Sequence, residues 1–157
     1  MAAPVVSVSK RLLGELKDYA KFPNECLEEL APVEGDLLHW TAIMKGVQGS
    51  AYERGRWLID INVPETYPFH PPEVKFVTPI CHPNVHLKTG VVCLDLLKTN
   101  WSPAYTLALT LTAIHSLLTS PEPDSPLNVD AAALLRAGDF VGYDSLVKVW
   151  VVSERWI

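Results

Sequence analysis

A thiol is well suited to accepting an acyl group and passing it on, because the thiolate is both a good nucleophile and a good leaving group. Cys93 stands in Gly90-Val91-Val92-Cys93-Leu94-Asp95, inside an apolar run. Taken alone, an unpaired cysteine in such a run reads as core filler, and Cys26 and Cys81 keep that reading. No cationic residue adjoins Cys93, so the segment does not read as a strongly activated, protease-like thiolate. Zinc competes for the same residues: Cys81, His82, His86 and Cys93 could offer two sulfurs and two nitrogens. Their spacing matches no common zinc-finger pattern, so the residues are not read as a metal site. Gly-rich phosphate loops, a serine nucleophile elbow and paired carboxylates are absent from the sequence.

The elements that must position Cys93 can be read from hydrophobic periodicity. Ser7 is a candidate cap for a helix in which Val8, Leu12, Leu16 and Tyr19 recur at three- and four-residue steps, with Lys10, Lys17 and Lys21 along another face. Phe22-Pro23-Asn24 stops it. Residues 37–45 and 56–63 read as an antiparallel hairpin of strands, and 74–77 as a further strand. Of the 13 prolines, Pro64, Pro68, Pro71, Pro72, Pro79 and Pro83 crowd into one short stretch, which makes residues 64–72 a rigid, non-helical loop. Residues 79–100 show no clean period, yet are too apolar for disorder, which marks a long irregular segment with a functional reason.

Helices return beyond it. Pro103 suits a first helical turn, followed by an apolar stripe of Leu107, Leu111, Ile114 and Leu118 that ends before Pro121. Asn128 or Asp130 can cap a short helix over 131–137, closed by Gly138, and Asp139 can cap the last helix. The order predicts an α+β fold: an N-terminal helix, an antiparallel sheet of about four strands, a long irregular active-site segment and C-terminal helices, in a single domain over 1–157.

Bulk composition excludes several function classes. Asp and Glu outnumber Lys and Arg by 18 to 13, a net charge of −5, which argues against nucleic-acid binding. The imbalance is local: residues 1–22 carry +2 and the remainder −7, so the first helix is a candidate docking face for an acidic partner. Three cysteines are too few for a disulfide framework and point to a reducing compartment. The N-terminal residues lack a secretion-signal pattern, no run is apolar enough for membrane insertion, and Arg155-Trp156-Ile157 is not a peroxisomal import tripeptide. A cytoplasmic protein is expected.

Four motifs in one order carry a family resemblance: Tyr67-Pro68-Phe69-His70-Pro71-Pro72, His82-Pro83-Asn84, Gly90-Val91-Val92-Cys93-Leu94-Asp95 and Trp101-Ser102-Pro103-Ala104. Together they resemble the ubiquitin-conjugating enzymes, from Lys10-Arg11 to the last helix. Residues 124–130 and 135–139 resemble the peroxisomal branch of that family.

The resemblance implies two acyl transfers. Cys93 takes ubiquitin as a thioester from the ubiquitin-activating enzyme and, with a RING-type ligase, passes it to a substrate lysine or cysteine, in this branch a peroxisomal import receptor. Asn84 matches the residue that stabilises the oxyanion or braces the loop. Asp95 and Ser125 match positions flanking the incoming nucleophile, although many relatives carry Asp where Ser125 stands. Phe69, Ser102, Pro103 and Ala104 match the ligase-binding loops, and Lys10 and Arg11 the activating-enzyme-binding face. His82 is implied to be a structural hydrogen-bonder. Two departures follow: Gly14 replaces a basic residue of many relatives, and the eight residues between Asn84 and Cys93 are one more than the common pattern. No cofactor is implied. Lacking an import tripeptide or a membrane span, a peroxisomal role implies recruitment to the cytosolic face of the peroxisomal membrane by a membrane-anchored adaptor. The alternatives are a catalytically inactive ubiquitin-binding scaffold of the same fold and a general cytosolic ubiquitin-conjugating enzyme.

Overall fold

The structure is a computed structural model that describes residues 3–153, with the side chains of 3–7, 94–96 and 152–153 outside the description. It opens on helix α1, Ala3–Lys21, which begins before the expected cap, so Ser7 lies inside the helix instead of ahead of it. Four strands follow, β1 (Leu27–Val33), β2 (Asp36–Lys45), β3 (Arg56–Asn62) and β4 (Glu73–Phe76). They pair antiparallel in the order β1-β2-β3-β4, each strand beside its sequence neighbour. Trp40, Ala42 and Met44 of β2, Trp57, Ile59 and Ile61 of β3, and Val74 and Phe76 of β4 are all buried at alternate positions, as one covered sheet face requires.

The short helix α2 (Leu94–Thr99) starts directly after Cys93 and was not legible as a helix. Helix α3 (Leu107–Leu117) is capped by Thr106, whose hydroxyl accepts the Leu109 N–H, and not begun by Pro103, which lies in the preceding turn. Helix α4 (Val129–Arg136) is capped by Asn128, whose side chain accepts the Ala131 N–H. Helix α5 (Phe140–Ser153) follows Asp139, which accepts the Gly142 N–H as expected of its cap.

One apolar cluster joins these layers: Val8 and Leu12 of α1, the inner sheet face, Leu107, Leu111 and Ile114 of α3, and Tyr143 and Val147 of α5. The sheet and α3 thereby share one core, and hydrogen bonds from Pro83 and Asn84 tie the irregular segment to residues 122–128. No helix among the described residues is long and apolar enough to cross a membrane.

Candidate active site

Residues 85–92 fold back on themselves. Val85 and Val92 form an antiparallel bridge, His86 N–H donates to Val91 O at 2.9 Å, and Gly90 N–H donates to His86 O at 2.8 Å. The turn is held from inside by His86 Nδ1, which accepts the Lys88 and Thr89 N–H groups. Gly90 has φ +74°, and a Cβ there would lie 1.8 Å from Phe76 O, so both its backbone angle and its closeness to β4 demand glycine. Its carbonyl in turn accepts the Phe76 N–H at 2.7 Å, fastening the hairpin to the sheet. The eight residues separating Asn84 from Cys93 thus close a loop, and the Cys93 N–H donates to Asn84 O at 2.9 Å. The longer spacing leaves the two residues side by side.

Cys93 enters α2 with no side-chain capping bond and is 7% exposed. Burial pushes the Cys81 thiol up to about 11, and burial likewise raises that of Cys26, so both stay protonated at neutral pH. Among the described residues no three His, Cys, Asp or Glu side chains are placed to hold a metal ion.

His82 and Asn84 are built into the floor of the site. The His82 ring is buried; Nδ1 accepts the Asn84 N–H at 3.0 Å and Nε2 faces Leu117 O at 2.6 Å. An amide must donate and a carbonyl must accept, so the ring is the neutral Nε2–H tautomer. Burial pushes its pKa down to about 4, against a smaller opposing effect of the Leu117 carbonyl.

Asn84 is 0% exposed, and its amide is fully engaged. Nδ2 donates to Glu122 O at 2.8 Å and to Ser125 O at 3.0 Å, while Oδ1 accepts the Glu122 N–H at 2.8 Å. The segment 122–125 is thereby clamped beside Cys93's neighbour. Pro83 O accepts the Leu127 and Asn128 N–H groups and extends the clamp to the start of α4.

A second cluster joins the two loops of the ligase-facing resemblance. Phe69 is 73% exposed at the tip of the 64–72 loop, whereas Tyr67, two residues earlier, is buried. Trp101 Nε1 donates to Pro68 O at 2.9 Å, and its ring lies 6.0 Å from that of Tyr67. Pro103 and Ala104 are exposed beside it, and Ser102 Oγ accepts the Ala104 N–H. Lys10 is exposed on α1. Arg11 turns inward instead: Nε pairs with Glu15 at 2.9 Å, and Nη2 donates to Pro103 O at 2.9 Å and Tyr105 O at 2.7 Å.

The expected residues therefore fall into two groups. Asn84, Cys93 and Ser125 come together through one hydrogen-bonded floor, and Phe69 with 102–104 forms a separate platform. Asp95 lies in the first turn of α2, but its side chain is outside the described residues. Sequence reasoning missed Glu15, a buried carboxylate that receives the Tyr67 hydroxyl at 2.6 Å and the Leu107 N–H at 2.7 Å. The available signal was the four-residue step from Arg11 to Glu15, which favours an ion pair on a helix.

Residues 11–151 match the family described as ubiquitin-conjugating enzyme. A relative from Gibberella zeae, named ubiquitin-conjugating enzyme E2 PEX4, is 50% identical over 153 residues, covering 95% of this chain and 89% of the relative. Protein PEROXIN-4 of Arabidopsis thaliana is 50% identical over 115 residues, 73% of each chain. Among solved structures, Pex4p of H. polymorpha in complex with the soluble domain of Pex22p superposes with a TM-score of 0.87 at 35% identity, covering 94% of this chain and 98% of that one.

Proposed function

The chain belongs to the ubiquitin-conjugating enzyme family, alongside peroxisomal PEX4 relatives, and from that premise we propose that Cys93 is its ubiquitin carrier. The thiolate attacks the carbonyl of the thioester joining ubiquitin to the activating enzyme. The tetrahedral oxyanion collapses by expelling the activating enzyme's thiolate, leaving ubiquitin on Cys93. A neutral substrate amine then attacks the same carbonyl, loses its extra proton to solvent and expels the Cys93 thiolate, giving an amide; a substrate thiolate gives a new thioester. The protein's contribution is carriage and positioning.

The observation that carries this reading is the hairpin that sets Cys93 against Asn84 while Asn84 clamps 122–125. Both Asn84 amide hydrogens are already bonded to carbonyls, which favours the bracing role; an oxyanion would have to displace one of those bonds. On this reading Ser125, whose carbonyl is held by Asn84, and Asp95, in the first turn of α2, flank the incoming nucleophile. Phe69 with Ser102, Pro103 and Ala104 forms a platform for a RING-type ligase, the exposed Phe on a proline-stiffened loop being a pre-ordered anchor. Lys10, on the exposed face of α1, meets the activating enzyme. Because the H. polymorpha relative was solved with Pex22p, an adaptor of that kind recruits this chain from the cytosol to the peroxisomal membrane, where an import receptor is the substrate.

Incubation with activating enzyme, ubiquitin and ATP tests the core of this. The wild-type protein acquires a ubiquitin-sized, reductant-sensitive adduct, Cys93→Ala acquires none, and Cys93→Ser traps a reductant-resistant ester. A wild-type protein that never forms the adduct sinks the carrier role. Ubiquitin binding without an adduct would instead describe a scaffold. Peroxisomal co-localisation that survives deletion of the adaptor counts against recruitment.

A further inference from the structure

Glu15 sits where three segments meet. Its Oε2 takes both the Arg11 Nε–H and the Tyr67 hydroxyl, and its Oε1 takes the Leu107 N–H. Tyr67 belongs to the 64–72 loop, and Leu107 opens α3 immediately after the 101–106 segment. Arg11 reaches further along that segment with two more bonds, to the carbonyls of Pro103 and Tyr105, which bracket Ala104. The Arg11 guanidinium also lies 5.7 Å over the Tyr67 ring. One carboxylate on α1 thus holds both loops of the ligase platform, and the exposed residues Phe69, Pro103 and Ala104 lie just beyond these ties.

We infer that Arg11, Glu15 and Tyr67 are positioning residues for ligase engagement, an internal strut that fixes the Phe69 loop and the 102–104 loop relative to one another. This rests on the carrier and ligase reading above, and it assigns the half-buried Arg11 to holding the platform instead of to the activating-enzyme surface. Charge-assisted bonds to a buried or half-buried carboxylate are among the stronger hydrogen bonds a protein makes. A platform held by them is already ordered when the ligase arrives, so the strut acts on ligase affinity and leaves the Cys93 chemistry alone. The hydroxyl of Tyr67 is buried, and its loss alters no surface that a partner could touch.

Full-length protein is first charged with ubiquitin, and discharge to free lysine is followed with and without a RING domain chosen because it stimulates the wild type. In Tyr67→Phe and Glu15→Gln, charging and unassisted discharge stay within about twofold of wild type, while the RING concentration for half-maximal stimulation rises about five- to tenfold. The stimulated rate at saturating RING domain is retained. Because both side chains act through one carboxylate, the Tyr67→Phe, Arg11→Ala double variant falls short of the product of the single effects. An unchanged half-maximal concentration in Tyr67→Phe and Glu15→Gln overturns the strut. So does an Arg11→Ala variant that slows charging yet responds normally to the RING domain, since that places Arg11 on the activating-enzyme surface. Thermal melting of each variant identifies any that fails to fold, and Tyr67→Phe, which removes one oxygen, keeps the test open if Arg11→Ala does. A wild type that never charges defeats the carrier reading itself; one that charges but answers to no RING domain defeats the ligase reading and the strut together.

Discussion

His82 stabilises this fold only while its ring is neutral, because Nδ1 must accept the Asn84 N–H and no space or partner is provided for a second ring proton. Its folded pKa is pushed down to about 4 from an ordinary 6.5, so the unfolded chain binds the proton first. Stability from this residue is therefore complete above about pH 6.5, declines as the pH falls, and is fully lost once the pH passes below about 4. The total is about 3 kcal/mol, and burial lowers the His115 pKa in the same direction. Urea unfolding at pH 7 and pH 4.5 should show the loss, and His82→Gln, which cannot charge, should flatten the slope between them. An equal slope in both proteins would assign acid sensitivity elsewhere. Asn84 invites a separate test of brace against oxyanion donor. Asn84→Ala orphans the Glu122 N–H and two carbonyls, and is expected to lower the unfolding free energy by about 1–3 kcal/mol in urea titrations. Unchanged stability with discharge slowed about a hundredfold or more would identify the oxyanion role instead.

The hairpin over 85–92 is the element that sets Cys93 beside Asn84, and Gly90 is its weakest point to substitution. Gly90→Ala forces a side chain into left-handed backbone and places Cβ 1.8 Å from Phe76 O, so the hairpin must leave β4 or β4 must shift. The expected result is a lowered melting temperature together with at least tenfold slower charging; a variant that melts and charges as the wild type does would show that the hairpin is dispensable. Gly90 stands in the cysteine motif, but the hairpin itself is not legible in the sequence. The hairpin is made by backbone bridges between Val85 and Val92 and by a side chain, His86, that closes its own turn, none of which leaves a period in the sequence. Strands β2, β3 and β4 were readable because their buried residues alternate. Strand β1 was not: a register shift between Leu27 and Glu29 puts Leu27 and Leu30 on the buried side at a three-residue step, and Pro32 is tolerated only because β1 is an edge. Likewise Pro103 resembled a helix start, but the Thr106 hydroxyl and the Glu15 carboxylate take the first free N–H groups of α3, a contact 92 residues apart that local pattern cannot contain. The cysteine, the motifs and the two platform loops were legible; the carboxylate that ties the platform together was not.

On the scale of the whole molecule, the two ends of the charge distribution face different tasks. The chain carries −5 overall, yet Lys10, Lys17 and Lys21 are all exposed on α1. With Arg11 half-buried and engaged by Glu15 and the Pro103 and Tyr105 carbonyls, the fully exposed cations among the described residues of α1 are lysines. Lysines on a surface steer an acidic partner through long-range field more than through fixed geometry, and that field decays over about 8 Å at physiological ionic strength. Activating-enzyme docking should therefore be sensitive to salt, and Lys10→Glu should raise the KM for charging about three- to tenfold at low salt with kcat unchanged. Raising the ionic strength should weaken the wild type more than the variant, so that the two converge. Because Lys10 makes no contact with either platform loop in the hydrogen bonds described, ligase-stimulated discharge of the charged variant should stay at the wild-type rate. A lowered kcat, or a salt dependence identical in both proteins, would mean that α1 meets its partner through shape instead of charge. The opposite pattern is expected of Tyr67→Phe, normal in charging and impaired in ligase response. Measured side by side, the two variants test separately whether the outer face of α1 serves charging and its inner face the ligase response.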